Sequence, residues 1–429
     1  MPKPASAGWY LLLAAGQNSP PPALSRGAFP MSEFDPKKFV NREKELDLVM
    51  DKVSRLARGE PFAPHERVIH FIGPSDIGKS WLLEKCYRDT RDVEQCAPIF
   101  VKLDALTKKR GEFVENFLIA VDKEFSGCLK IPTQIINGKS QSRYGADLTL
   151  KINRYAERCI TVLFFDEINM LNRAQLQGVE DQLFRRLVHD NGHLVLVTAG
   201  RSSPSMLNDF ALRPSLRNTF HLSTFNEITT RKQLETLGPG VANLAGKVME
   251  LSNGIPGNTI KLVEYAVGDP PDIPELPAVQ SMLADVKDGI ENRFHPIIEI
   301  ICILQVFFPE DVVPIARNHP ALGEEWDEAR LNDVFRELQE VQVGPGGLIN
   351  WSREKKGWVM DEPTRALFER ELQMRDPELW RKLHCTAYKM YKYWGDTINS
   401  QLHIVANHHW QCLKSAGCTC DDVEVEIEL

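Results

Sequence analysis

Short apolar runs alternate with amphipathic stretches along the first part of the chain. Short runs of β-branched and aromatic residues between polar segments predict buried strands, and apolar positions three and four residues apart predict helices. The predicted strands occupy residues 67–72, 98–103, 160–165, 193–198 and 219–222. Because helical stretches fall between the runs, we expect a parallel sheet with helices on both faces, which is an α/β fold.

The first predicted strand leads directly into the segment GPSDIGKS, residues 73–80. A Gly, four residues and then Gly-Lys-Ser, placed between a strand and a helix, form the P-loop pattern. The backbone N–H groups of such a loop and the positive end of the helix dipole bind phosphate. An ordinary Gly- and Ser-rich turn would not explain the Lys-Ser pair. The residues predicted to bind ATP or ADP are Gly73, Pro74, Ser75, Asp76, Ile77, Gly78, Lys79, Ser80 and Trp81.

Two acids at the end of the third predicted strand complete the expected catalytic set. Lys79 is expected to reach the β- and γ-phosphates, and the Ser80 hydroxyl is expected to ligate Mg²⁺. Asp166 would hold the water shell of the metal opposite Ser80, and Glu167 would orient or polarise an attacking water. Adjacent acids also occur on solvated surfaces, but their position downstream of the P-loop, one strand away, favours the catalytic interpretation.

Thr198 and Arg201 lie at the end of the fourth predicted strand. Ligands of open parallel sheets bind at the carboxyl ends of the strands, so both residues are predicted to sense the γ-phosphate, with Arg201 in a catalytic role. The alternative is an ordinary turn around Gly200 with a solvated arginine.

Composition and charge describe a globular protein of two or three domains, with 43% hydrophobic residues in a chain of 429. The net charge of −8 gives no overall attraction to nucleic acid or to an anionic membrane. Nine scattered cysteines fit a reducing compartment, which together with an ATP site predicts a cytoplasmic protein. No stretch is apolar enough to cross a bilayer, so no membrane partner is expected.

Residues 1–38 differ from the rest, with a short apolar run at 9–15 and prolines at 20–22. A weak signal peptide is one interpretation. A disordered or mis-assigned extension preceding a start at Met31 is the other, and it is favoured because an exported P-loop domain would lack ATP.

Four regions follow this extension. Residues 39–268 are expected to form the P-loop ATPase domain with a small helical lid, and the proline-rich residues 269–287 a linker. Residues 288–372 are expected to form a winged-helix-like domain, with helices at 296–307 and 329–341 and a two-stranded wing at 348–361. Residues 373–429 are expected to be a helical segment and an acidic tail.

The segment FVNREKEL, residues 39–46, resembles the N-terminal box of the STAND class of P-loop ATPases, relatives of the AAA+ and origin-initiator families. Arg42 and Glu43 match, whereas Asn41 replaces a Gly and tolerates a left-handed conformation. The resemblance implies that Val40 and Arg42 lie beside the adenine. LSNGIPGN, residues 251–258, is similar to the Gly-x-Pro element of the lid, with Pro256 at the base; a helix-ending turn is the alternative.

In this class a His-Asp pair at the end of the winged helix holds ADP and keeps the molecule closed. Here Met360 precedes Asp361, so the histidine is absent and the ADP-locking contact is in doubt. The helix from residue 379 resembles the start of the helical arrays that follow such a winged helix, although only one or two repeats fit.

The resemblance implies a molecular switch that binds ATP, hydrolyses it slowly with Mg²⁺, and self-associates when its conformation changes. An unidentified protein partner is expected. The alternatives are an origin-initiator-like or transcription-regulatory ATPase that binds DNA through the winged helix, and a nucleotide-binding scaffold with little hydrolysis. Residues 288–371 carry nine Lys and Arg against 17 Asp and Glu, which makes DNA an unfavourable partner.

Two further groups of residues have more than one interpretation. One arginine is expected to act on the nucleotide of a neighbouring subunit, and the candidates are Arg185, Arg186, Arg213 and Arg217. A C-terminal cluster is either a zinc site or a set of helical surface residues, and comprises His403, His408, His409, Cys412, Cys418 and Cys420.

Overall fold

Five parallel strands form the sheet that the apolar runs predict. In the computed structural model they are β1 (Val68–Ile72), β2 (Cys96–Lys102), β3 (Ile160–Asp166), β4 (Leu194–Gly200) and β5 (Thr219–His221). Their spatial order is β2-β3-β4-β1-β5, and every neighbouring pair is parallel. All residues of β1, β3 and β4 are buried, as expected for a sheet covered on both faces. The predicted α/β fold is therefore confirmed.

The structure describes residues 34–60, 62–103, 106, 113–133, 140–156, 158–201, 212–238, 240–268, 271–322, 326–343, 346–352 and 355–421. The extension predicted at residues 1–38 lies almost entirely outside them. The helices around the sheet are α1 (Glu43–Ala57), α2 (Lys79–Arg91), α3 (Phe113–Leu129), α4 (Gln141–Ala156), α5 (Arg173–Val179) and α6 (Arg185–Asp190), with a π-helical turn at Glu180–Phe184.

Side chains of the sheet alternate between two hydrophobic cores. Val162 and Phe164 of β3 belong to the core beneath α1 and α2, whereas Leu163 and Phe165 belong to the core beneath α3 and α4. This alternation is the period of two that a strand imposes, so one strand supplies both layers of the sandwich.

A third core joins the lid to the C-terminal part of the chain. The lid helices are α7 (Glu227–Leu237), α8 (Ala245–Ser252) and α9 (Pro256–Val263). Leu251 and Leu262 of the lid share one buried cluster with Ile301, Phe335 and Leu383. The lid therefore packs with the C-terminal helices in the same core, and the predicted domain boundary at residue 268 stays a prediction.

The predicted linker is wrong from residue 275 onward, because α10 (Glu275–Asp288) is a regular helix. Pro277 is its third residue, where the backbone N–H has no partner within the helix, so the proline removes no hydrogen bond. α10 then packs against α14 (Glu362–Arg375), and Lys287 pairs with the buried Glu371 at 3.1 Å.

Residues 288–372 contain the expected hairpin and a helix at each expected position, although the first helix ends at Ile301 and not at residue 307. The elements are α11 (His295–Ile301), α12 (Pro309–Arg317), α13 (Glu328–Glu340), β6 (Gln342–Val343), β7 (Gly346–Gly347), β8 (Ile349–Ser352) and β9 (Gly357–Met360). β8 and β9 are antiparallel, with Trp351 opposite Trp358, which confirms the predicted pair of strands. The assignment as a winged helix stays a prediction.

Two helices, α15 (Pro377–Thr397) and α16 (Leu402–Ser415), close the described chain. They pack on each other, and the rings of Tyr388 and Trp410 lie 5.3 Å apart between centroids. Cys385 of α15 forms a disulfide with Cys420. The sequence does not predict this pair, since a sequence separation of 35 residues carries no local signal of pairing.

Gly254 of the lid lies in close contact with the segment after β5. Its φ is +67°, its carbonyl accepts a hydrogen bond of 2.7 Å from the Phe225 N–H, and a Cβ would lie 2.1 Å from the Phe225 oxygen. We expect Gly254→Ala to lower the free energy of unfolding by about 2 kcal/mol or more, measured by urea denaturation. Gly246→Ala in α8, where a Cβ meets no atom within 4 Å, should be neutral or slightly stabilising. Equal effects of the two substitutions would contradict the steric argument.

Candidate functional site

The predicted phosphate-binding loop connects β1 to α2. Gly78 has a φ of 94°, which glycine adopts readily, and directly precedes the helix that begins at Lys79. The Lys79 ammonium group is buried and donates hydrogen bonds to the carbonyls of Gly73 and Pro74 at 3.0 and 2.7 Å. Burial lowers the pKa of Lys79, and the negative charges of Glu167 and Asp166 oppose that shift. The Lys79 ammonium therefore lies against the loop, and its predicted contact with the phosphates stays a prediction.

Asp166 and Ser80 meet at the carboxyl edge of the sheet. Burial raises the pKa of Asp166, whereas a hydrogen bond from Ser80 and the charge of Lys79 lower it. A carboxylate and a hydroxyl are oxygen donors of the kind that Mg²⁺ binds, so these two residues suit the metal. The Glu167 N–H donates to Asp166 Oδ1 at 3.1 Å, and Glu167 has a φ of 60°. Its role with an attacking water stays a prediction.

The two residues predicted to sense the γ-phosphate have different surroundings. Arg201 follows β4 and its guanidinium donates to the Ser75 hydroxyl of the loop. Thr198, by contrast, lies inside β4, and its hydroxyl is 2.6 Å from Nδ1 of His70. The structure thus brings Arg201 to the loop but engages Thr198 within the sheet, since the strand continues two residues beyond the predicted end.

His70 is a further residue of this region, with no role predicted from the sequence. Its Nε2 lies 3.3 Å from the Ser215 hydroxyl, so the imidazole connects β4 to the segment before β5. Burial lowers the pKa of His70 to about 4, which keeps the ring neutral near pH 7. A histidine within an otherwise apolar strand was the signal available in the sequence.

The N-terminal box packs directly on the phosphate-binding loop. Asn41 and Arg42 have φ values of 61° and 85°, in agreement with the left-handed conformation expected for residue 41. The buried Arg42 guanidinium donates to the carbonyls of Ile77 at 3.1 Å and Ser223 at 2.7 Å. It also lies 5.1 Å from the centre of the Phe225 ring. Arg42 therefore joins the box, the loop and the segment after β5; Val40, two residues earlier, is half-buried.

The start of α9 contacts the same loop from the lid. Pro256 is the first residue of this helix, and its carbonyl accepts from the Gln233 side chain at 2.9 Å. The next residue, Gly257, donates its N–H to the Asp76 carbonyl at 2.9 Å. The Gly-x-Pro element thus reaches the loop, while its contact with a base stays a prediction.

Asp361 directly follows β9, and its carboxylate accepts a hydrogen bond of 3.2 Å from Thr364. Its negative charge raises the pKa of Lys79, but by less than the charges of Glu167 and Asp166 do. The C-terminal region therefore contributes a small negative charge to the surroundings of this lysine.

The remaining predicted groups lie elsewhere. Arg185 is 3.8 Å from Asp181, and Arg213 and Arg217 are exposed at the ends of a 3₁₀ turn before β5. Within the described residues, no group of three or more His, Cys, Asp or Glu side chains is arranged to hold a metal. No helix in the described part of the chain has the length and apolar character needed to cross a membrane.

Comparison with solved structures gives remote similarities. The chain is similar to Cdc6p from Pyrobaculum aerophilum, with 14% identity, a TM-score of 0.43 and coverage of 81% of this chain and 97% of that one. It is also similar to the ORC2 protein of Aeropyrum pernix, with 10% identity, a TM-score of 0.47 and coverage of 82% of this chain and 98% of that one. The ORC1 protein of Aeropyrum pernix in complex with DNA shows 16% identity and a TM-score of 0.46, with coverage of 82% of this chain and 96% of that one. No family model and no curated protein matches the sequence. Similarities this remote carry no argument about function.

The pKa of His70 predicts a pH-dependent stability. Because the folded pKa is about 4 and the ordinary value is 6.5, the unfolded chain binds more protons between these values, so stability falls as the pH falls through this window. Relative to His70→Gln, the wild-type free energy of unfolding should drop by about 1 kcal/mol between pH 7 and pH 5.5, measured by urea denaturation. His193→Gln, which changes an exposed histidine before β4, should leave the wild-type pH dependence in place. A parallel pH dependence in the wild type and His70→Gln would contradict the assignment.

Proposed function

We propose that the protein is an ATP-binding, slowly hydrolysing molecular switch of the STAND type, in which the C-terminal region closes against the nucleotide site. The observation that carries this proposal is the contact of the lid with the loop, where the Gly257 N–H donates to the Asp76 carbonyl at 2.9 Å. The lid helices share one core with the C-terminal helices. The charge of Asp361 is a weaker link, because it is the smallest of the charge contributions to the pKa of Lys79. The nucleotide site and the C-terminal region are thereby linked through the lid.

Different residues of the site would bind the nucleotide and support its hydrolysis. Lys79 and the N–H groups of the loop would bind the phosphates, and Arg201, held at Ser75, would contact the γ-phosphate. Ser80 and Asp166 would hold Mg²⁺, which supplies positive charge against the phosphates. Glu167 would orient the attacking water as a general base. Arg42, which contacts Ile77 of the loop, and Pro256, which begins α9, would lie beside the base.

The electrostatics suggest how nucleotide would open the molecule. Phosphate groups and the Asp361 carboxylate carry charge of the same sign and compete for Lys79. The additional charge of a γ-phosphate would repel Asp361 more strongly than ADP does. ATP would then favour an open arrangement that exposes a surface for self-association, and hydrolysis would restore the closed one.

DNA binding is the competing function. The acidic balance of residues 288–371 weighs against it, because phosphate contacts by Lys and Arg supply most of the affinity for DNA. A measurement of duplex DNA binding by fluorescence anisotropy, with and without ATP, separates the two. Salt-dependent binding that is stronger with ATP would favour an initiator-like ATPase over the switch.

The switch predicts a nucleotide-dependent change of mass. In size-exclusion chromatography with light scattering, a nonhydrolysable ATP analogue with Mg²⁺, but not ADP, should convert the monomer to a defined oligomer. Lys79→Ala should abolish the change because the loop loses its buried cation. A monomer in every nucleotide state would exclude the proposed switch.

Asp361 gives a second, opposite prediction. Asp361→Asn removes the charge that competes with phosphate, so oligomer should form at a lower concentration of the ATP analogue, by about threefold or more. Asp333→Asn, which removes an exposed charge on α13, is the matched control and should behave as wild type. A lower tendency of Asp361→Asn to form oligomer would contradict the role of this carboxylate in closing the molecule.

A further inference from the structure

Asp76 places a negative charge within the phosphate-binding loop. It is the acid of the segment GPSDIGKS, and its φ of 59° is left-handed. Loops of this pattern bind anions through converging N–H groups, so a carboxylate in the loop would oppose the same phosphates by charge. The structure shows how this charge is compensated.

The lid helix α9 holds Asp76 at two points. Gly257 donates its backbone N–H to the Asp76 carbonyl at 2.9 Å, and Lys261, one turn later, places its ammonium group 2.9 Å from Asp76 Oδ2. A Cβ at Gly257 would lie 2.6 Å from the Asp76 Cβ and 3.0 Å from its carbonyl oxygen. The helix therefore contacts the loop closely enough that position 257 has no room for a side chain.

We propose that Lys261 is a specificity-determining residue of the nucleotide site, which favours ATP over ADP by neutralising Asp76. The proposal rests on the proposed nucleotide-binding function and adds a lid residue to it. When Lys261 is paired with Asp76, the loop carries no net charge at this position. When Lys261 is removed, the unpaired carboxylate repels the more highly charged nucleotide more strongly.

The geometry points to action through Asp76 rather than to a direct phosphate contact. The Lys261 ammonium is already paired with the Asp76 carboxylate, and the Gly257 hydrogen bond fixes the helix over that residue. The two routes differ in one consequence. Action through Asp76 disappears when Asp76 is neutral, whereas a direct contact with phosphate does not.

A double-mutant cycle on the full chain distinguishes these routes. Fluorescent mant-ADP and mant-AMPPNP are titrated in the presence of Mg²⁺ onto wild type, Lys261→Met, Asp76→Asn and the double variant. We expect Lys261→Met to weaken the binding of mant-AMPPNP about two- to fivefold more than the binding of mant-ADP. This difference corresponds to the energy of an exposed ion pair. In the Asp76→Asn background Lys261→Met should have no such effect, and raising the salt concentration should reduce the discrimination.

Lys247→Met is the matched control, because Lys247 is a lid lysine that pairs with Asp272 at 2.8 Å, away from the loop. It should leave the preference between the two nucleotides unchanged. Equal weakening of both nucleotides by Lys261→Met, or discrimination that persists in the Asp76→Asn background, would overturn the proposal while the nucleotide-binding function stands. If wild type binds neither probe, the proposed function and this inference both fail.

The contact at Gly257 gives an independent measurement. Gly257→Ala should displace α9 from Asp76 and increase the dissociation rates of both mant nucleotides, whereas Gly246→Ala in α8 should not. Stopped-flow displacement with excess unlabelled ADP measures these rates. Unchanged rates for Gly257→Ala, with normal thermal stability, would show that the lid contact at Asp76 does not control the site.

Discussion

The buried Lys79 ammonium organises the phosphate-binding end of the site. A buried charge is costly unless it is paired or hydrogen-bonded. The compensation for Lys79 comes from the two loop carbonyls of Gly73 and Pro74 and from the carboxylates at the end of β3, with a smaller contribution from Asp361 after β9. The loop and the end of β3 thus depend on one charge, and any anion that binds Lys79 changes its balance with both.

The distribution of hydrophobic cores determines which parts can move together. The sheet has a core on each face, whereas the lid helices share a third core with the C-terminal helices. Close-packed cores resist deformation, but hydrogen bonds and ion pairs at their borders rearrange at low cost. Contacts of this second kind join the loop to the lid at Asp76 with Gly257 and Lys261, beside an apolar contact region in which Ile77 and Ile255 share a buried core. A change in nucleotide charge therefore acts on the polar part of this junction, which rearranges more easily than its apolar part.

The candidate site could be predicted where one motif contains both the chemistry and its position. Gly73 to Ser80 and Asp166 were identified because the end of a buried strand fixes which side chains reach the sheet edge. Thr198 shows the limit, since two more residues of β4 move its hydroxyl away from the edge and onto His70. The role of Lys261 could not be predicted from the sequence, because lysines are common on amphipathic helices and its partner lies on another element.

Local patterns in the sequence determined the strands, the phosphate-binding loop and the β8–β9 hairpin, with the ends of strands within one or two residues, because their periodicity and turn residues act over short distances. Tertiary structure alone decided that α10 forms in the proline-rich segment, that Cys385 joins Cys420, and that Lys261 pairs with Asp76. These outcomes depend on which surfaces pack together, and packing energies arise between residues that are distant in the chain.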